Sequence, residues 1–313
     1  MALSVRFHIV RVMNLRLCCS FNIIPMSKLL LICALFTLCG CRNDATNAGA
    51  APAGFVSIKA GTHSFGSSAA ERATALSHTR PADEASVKAR LDFELEPFTA
   101  EVGAFAIGET PVTNRQYAEF VAATGHRAPA CAKEEWIASA KACGLGLDGK
   151  DDFAGFVQPL LWREGKPPLG REDDPVTLVT LDDATAYCAW LSKKLGKNVR
   201  LPDELESEIA GGATAYPWGD GWRSDACYAD PANRAPRAMS KDTADVTADG
   251  VRDYAGQVYE WTRSPDGARR GFAIVRGGGC WLDEPADCRK AARRSVPETT
   301  RHILLGFRVV LEP

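Results

Sequence analysis

Apolar residues in this chain come in short bursts rather than long periodic runs, so few regular elements are predicted. Residues 55–58 and 105–107 are brief, mainly apolar stretches, too short for helices, and they predict strands. Residues 114–124 (NRQYAEFVAAT) put Tyr117, Phe120 and Val121 on one helical face, with Asn114 as cap and Gly125 as stop. Residues 182–195 (DDATAYCAWLSKKL) space Ala184, Tyr187, Cys188 and Leu191 at i, i+3, i+4 and i+7. Acids open that helix, lysines close it and Gly196 ends it, as the helix dipole prefers. Most of the remainder is rich in Gly, Pro, Asp and Trp without a clear period, which predicts a loop-heavy fold. Its backbone groups need partners outside helices and sheets, and cations or disulfides are common helpers.

The N-terminus follows a different pattern. After Met26 the chain reads MSKLLLICALFTLCGC, one lysine and then an apolar run. That run is short of the ~20 apolar residues a bilayer requires, and it suits the core of a secretory signal. Leu38-Cys39-Gly40-Cys41 resembles a bacterial lipobox, which implies lipidation of Cys41 and removal of residues 1–40. Arg42 is not the aspartate associated with inner-membrane retention, so the resemblance implies the periplasmic side of the outer membrane in a Gram-negative envelope. An ordinary signal peptide or an uncleaved anchor is the alternative. Residues 1–25 read as an upstream extension, leaving Met1 and Met26 both open as the start.

Without residues 1–40 the charge balance changes. They hold Arg6, Arg11, Arg16 and Lys28 and no acid, so 37 basic residues become 33 against 39 acids, a net charge of about −6. That sign argues against nucleic acid as a partner. Of 11 cysteines, four leave with the leader and Cys41 takes the lipid, leaving Cys131, Cys143, Cys188, Cys227, Cys280 and Cys288. An even number in an oxidising compartment reads as disulfides, with about 15 connectivities open. Residues 41–53 form a small, polar tether, and residues 54–313 form one domain with no internal repeat.

The order of short motifs carries more than any one of them. Thr110-Pro-Val-Thr-Asn-Arg-Gln-Tyr117 precedes Asp174-Pro-Val176 and the helix containing Ala186-Tyr-Cys-Ala-Trp-Leu191. Arg200-Leu-Pro-Asp-Glu204, Tyr216-Pro-Trp-Gly-Asp220 and Asp253-Tyr-Ala-Gly-Gln-Val-Tyr-Glu-Trp-Thr262 come next. Val275-Arg-Gly-Gly-Gly-Cys-Trp281 and Leu305-Gly-Phe-Arg-Val-Val310 complete the series. This succession resembles the formylglycine-generating enzyme, or sulfatase-modifying factor, family over nearly the whole chain after residue 53. The resemblance implies an α+β, C-type-lectin-like fold with little regular secondary structure. Departures exist: Leu205-Glu-Ser-Glu-Ile209 replaces a tryptophan-containing acidic helix, Gln257 and Tyr259 replace asparagine and tryptophan, and residues 131–152 look inserted.

Family members that generate formylglycine hold copper(I) on two cysteines near the glycine-rich turn. Here Asp283 stands at the first of those positions, and a carboxylate does not replace a thiolate on a soft ion. Cys280 and Cys288 leave three readings open: a rebuilt metal pair, a stapled loop, or disulfides to other parts of the domain such as Cys188 or Cys227. Cys131 and Cys143 bracket a segment of the insertion and are expected to close it, with Cys188 the candidate free thiol. The matching family segment implies structural calcium on Asp253, Gly256, Val258 and Glu260, whose alternating oxygens suit that ion. Iron catalysis is not expected, because His8, His63, His78, His126 and His302 show no ligand spacing and read as lone surface residues. Arg289, Arg293, Arg294, Arg301 and Arg308 concentrate basic charge; Arg308 is expected in a buried salt bridge and the others as solvated charge or an anion-contacting rim.

These observations lead to the expectation of a lipoprotein that binds a periplasmic protein or peptide without catalysis, an accessory factor by analogy with relatives beside secretion systems. Two alternatives stand. One is a divergent oxygen-dependent metal oxidase acting on a peptide or small molecule, with Cys280, Asp283 and Cys288 at its centre. The other is an envelope scaffold.

Overall fold

The computed structural model describes residues 51–143, 153–229, 235–279 and 284–313, so Cys41, most of the tether, Cys280 and Asp283 lie outside the described residues. The compact unit runs from Ala48 to Pro313. Its strands are β1 (Phe55–Ile58), β2 (Gly61–Phe65), β3 (Phe98–Val102), β4 (Phe105–Gly108), β5 (Val199–Arg200), β6 (Tyr259–Pro265), β7 (Phe272–Arg276), β8 (Arg294–Pro297), β9 (Leu305–Phe307) and β10 (Val310–Leu311). The helices are α1 (Ala69–Ser77), α2 (Glu84–Leu91), α3 (Asn114–Thr124), α4 (Lys133–Cys143), α5 (Phe153–Phe156), α6 (Leu181–Leu195) and α7 (Glu204–Ala210).

The two apolar bursts predicted as strands pair with each other. β1 runs antiparallel to β4 with Phe55 opposite Gly108, and the C-terminal β10 adds to the other edge of β4 through Val310 and Ile107. The sheet order β1-β4-β10-β5 therefore joins both ends of the domain. A second sheet, β8-β7-β6-β9, contains one parallel pair, β6 with β9, and β2 with β3 forms a separate ribbon.

Helix α3 matches its predicted bounds, but its cap is Thr113 rather than Asn114. The Thr113 hydroxyl accepts from Gln116 N–H and the Gln116 side chain accepts from Thr113 N–H, a reciprocal capping box. Asn114 is the first helical residue, and its amide donates to Arg171 O at 2.8 Å. Helix α6 begins one residue earlier than expected and is capped in the same way by Thr180 and Asp183. The predicted faces of α3 and α6 meet as an aromatic cluster. Tyr117 stacks on Tyr187 at 5.7 Å, and Phe307 of β9 meets both rings edge-on. Burying rings of this size is worth roughly 1.5–3 kcal/mol each.

Two expectations change here, and one departure from the family pattern proves conformationally silent. Cys131 and Cys143 do not close a loop: the 11-residue helix α4 lies between them and ends on Cys143. A helix of that length spans roughly 16 Å, well beyond the ~7 Å that a disulfide tolerates between Cα atoms. Residues 205–209, where the family's tryptophan is missing, still form α7, because Asp203 caps it through Leu205 and Glu206 N–H. His302 is no surface residue but is fully buried.

Candidate active site

Two glycine turns lie face to face. The N–H of Gly256 donates to Gly277 O at 2.8 Å, and Gln257 bridges to Gly279 in parallel. Gly277, at the end of β7, has φ +100, and a Cβ there would meet Tyr254 O at 2.7 Å. Only glycine permits this approach. The segment of the expected calcium site is thus packed directly against the glycine-rich turn.

Two sulfurs fill the space beneath these turns. Cys227 follows a turn closed by its own N–H on Arg223 O, and Cys288 ends a single 3₁₀ turn over Pro285–Cys288. Their Sγ atoms are 3.3 Å apart and buried. Cys188 is elsewhere, buried on α6, and burial pushes its thiol up to about 12. Cys131 is likewise raised to about 12, by burial and then by Glu135.

Residues 284–294 are fastened to the domain by ion pairs that the sequence did not reveal. Asp287 takes both nitrogens of an Arg90 fork at 2.7 and 2.9 Å and also Arg294 at 3.1 Å. Burial pushes the Asp287 carboxyl up, but Arg294 and Arg90 outweigh it and hold the group below its ordinary value. Arg289 pairs with Glu94 at 3.0 Å, Arg80 with Glu284 at 2.6 Å, and Arg293 with Glu204 at 2.6 Å. Glu204 also pairs with the fully buried Arg276 at 2.8 Å, which reaches Glu208 at 3.0 Å. The basic cluster is therefore neither solvated charge nor an open rim. Arg301 pairs with Asp183 and Arg308 with Glu260, so all five arginines have internal carboxylate partners. Helices α1 and α2, which the sequence reading did not pick out, supply or position much of this clamp.

The four calcium candidates separate. Glu260 is spent: its two oxygens receive Arg308 at 2.8 and 2.9 Å, with both side chains fully buried. Gly256 and Val258 lie in the facing turn. Asp253 sits in the left-handed region at φ +51, and its Oδ2 is buried without a hydrogen-bond partner. Asp245, which sequence reading passed over, accepts Ala255 N–H at 2.6 Å through Oδ2 and leaves Oδ1 buried and unpartnered. Burial raises both carboxyls, Asp245 well above its ordinary value. Two orphaned, dehydrated carboxylate oxygens near one another in chain and fold are a donor set that a hard cation fits. Among the described residues no group of three or more His, Cys, Asp or Glu side chains is gathered around one point.

The remaining histidines are separate from this region. His126 Nε2 contacts Asp183 at 2.8 Å, His63 and His78 lie on β2 and at the end of α1, and His302 stacks on Trp136 at 4.7 Å.

Comparison with known proteins settles the lineage. Residues 43–313 match the family described as sulfatase-modifying factor enzyme 1-like domain. A formylglycine-generating enzyme of Streptomyces coelicolor is 31% identical over 264 residues, covering 69% of this chain and 81% of that protein. The chain belongs to this family. A hercynine oxygenase of Mycobacterium tuberculosis is 29% identical over 261 residues, covering 72% of this chain. The chain spans only about half the length of that relative, 57%. Among solved structures, PvdO from Pseudomonas aeruginosa superposes with a TM-score of 0.58 at 22% identity, over 83% of this chain and 94% of that one. CarF gives 0.53 at 15% identity, over 84% and 99%. These likenesses bear out the expected α+β fold. The expected non-catalytic binding factor is corrected: relatives that align across this family domain include proteins named as an oxygenase and a formylglycine-generating enzyme.

Proposed function

We propose that this family member is an oxygen-dependent oxidase acting on a peptide or a small molecule. The observation that carries the reading is its alignment across the shared domain with enzymes named hercynine oxygenase and formylglycine-generating enzyme. The geometry supports it: the glycine turn is backed by Gly256 and Tyr254, and the chain that follows it is held through its buried carboxylates by ion pairs, as a preorganised site requires. A cuprous ion does not fit between Cys227 and Cys288, because sulfurs 3.3 Å apart leave no room for a metal between them. Cys280 and Asp283, which follow the turn in the chain, remain the candidate centre, whereas Cys288 faces Cys227.

The test is oxygen uptake by the full-length protein, with metal content measured on the same sample. Thiol-containing peptides and hercynine with a thiol are the two substrate classes offered. Substrate-dependent uptake that Cys280→Ser abolishes is expected, and uptake no faster than in buffer with either class overturns the proposal.

Two further parts belong to this reading. Calcium serves as a structural ion held by Asp253 and Asp245, with backbone oxygens of the 256–258 turn, while Glu260 serves Arg308. A lipid on Cys41 places the enzyme on the periplasmic side of the outer membrane, supported by the Leu38-Cys39-Gly40-Cys41 pattern. Its substrate would then be a periplasmic peptide or metabolite.

A further inference from the structure

We propose that Cys227 and Cys288 are a disulfide-forming pair that crosslinks the two walls of the candidate active site. Three observations converge on it. The sulfurs are in contact at 3.3 Å although 61 positions separate them in the chain. Both lie in the same apolar cluster with Tyr216, Tyr254 and Ala255, where Cys288 is fully buried. The surrounding backbone is shaped to the two sulfurs. A Cβ on Gly256 would stand 2.5 Å from Cys227 Sγ, and a Cβ on Gly278 would stand 3.4 Å from Cys288 Sγ. Each facing turn thus places a glycine against one sulfur.

The bond would join the 223–229 loop to the 3₁₀ turn that follows the glycine-rich segment. That turn is already fixed on its outer side by Asp287 with Arg90 and by Glu284 with Arg80. The crosslink fixes its inner side. Cys188 and Cys131 are buried in a different apolar cluster, with α3 and α6, so neither competes for Cys288.

The chemistry balances with a protein disulfide as oxidant. A thiolate of one cysteine attacks that disulfide, and a mixed disulfide forms as one oxidant sulfur leaves. The second cysteine then displaces the other. Two thiols of this chain lose two protons and two electrons, one S–S bond forms, and the oxidant is reduced to a dithiol. Burial of both sulfurs means that the exchange takes place before the loop closes over them.

The pairing does not depend on the oxidase reading, and linkage mapping separates the two because it needs no activity. The full-length protein, expressed with its signal and taken from the periplasmic side, is denatured without reductant, alkylated, digested and analysed by mass spectrometry. A peptide containing residue 227 joined to one containing residue 288 is expected, with Cys131 and Cys188 alkylated. In Cys227→Ser, Cys288 should become alkylated. Alkylation of both Cys227 and Cys288 in the unreduced wild-type protein, or linkage of Cys288 to Cys280, overturns the proposal whether or not the variant folds.

Discussion

Arg308 and Glu260 form a fully buried bidentate pair, with Nε to Oε2 at 2.9 Å and Nη2 to Oε1 at 2.8 Å. The same guanidinium donates to Gly108 O and Glu109 O at 2.9 Å and to Arg252 O at 3.1 Å. One side chain therefore links the end of β4, the loop before β6, and β6 itself. Its desolvation is offset only while all these acceptors are present.

Removing one partner should be costly. Arg308→Met strands the Glu260 carboxylate and three carbonyls in the interior, and a loss of about 3–5 kcal/mol is expected. The double variant Arg308→Met/Glu260→Met should lose clearly less than the sum of the single changes, because no uncompensated charge remains. Urea midpoints with unchanged m-values check this; additive losses would contradict it.

Asp253 and Asp245 make the opposite case, two buried carboxylates without an adequate counter-charge. Arg237 approaches Asp253 only to 3.9 Å. Calcium should raise the thermal midpoint of the wild-type protein, by about 2.7 kcal/mol of stability at 100 times the dissociation constant. Asp245→Asn should abolish most of that gain, yet match or exceed the wild type in chelator, since a neutral amide removes like-charge repulsion from the empty pair. Calorimetry with calcium and with chelator distinguishes these outcomes.

How much of this was legible in the sequence depends on how local the signal is. Tyr117, Phe120 and Tyr187 declared their helices because one face repeats every three to four residues, and Gly125 and Gly196 end those helices in the left-handed conformation. Arg308 and Glu260 were marked by family wording. The clamp on residues 284–294 was not legible, since Arg90 and Asp287 are 197 positions apart and α1 and α2 have weak apolar faces. Cys227 opposite Cys288 was open among 15 connectivities because pairing is a property of topology, not spacing. Asp245 was not carried over, because the segment that ends on it is shorter than the family's second calcium segment and nothing in its neighbours shows that it will be buried.

His302 contributes a pH dependence of known sign. It is fully buried, its Nδ1 accepts Leu304 N–H at 3.1 Å, and its Nε2 is unpartnered. Burial pulls its pKa down to about 3. The unfolded chain binds a proton near 6.5 that the native protein refuses, so this residue's contribution is fully present above pH 6.5 and falls as pH drops toward 3. The loss approaches about 1.4 kcal/mol per pH unit well below 6.5. His302→Phe should flatten that part of the slope. Denaturation of both proteins at pH 7.5 and 5.0 gives the difference, and parallel slopes would refute it.

Gly256 tests how tightly the sulfur pair is enclosed. It adopts φ +77, and a Cβ would stand 2.5 Å from Cys227 Sγ and 2.9 Å from Ala229 N. Gly125 adopts φ +68 with nothing within 4 Å of its Cβ position. Alanine at Gly125 thus carries only the left-handed backbone cost, roughly 1–2 kcal/mol. Alanine at Gly256 carries that cost and an overpacking cost of about 1–3 kcal/mol besides. The gap between the two urea midpoints isolates the steric part. Measured against Cys227→Ala alone, which already lacks the crosslink, the Gly256→Ala cost should partly recover, because the nearest clashing atom is that sulfur. No recovery would locate the obstruction in the Ala229 backbone instead.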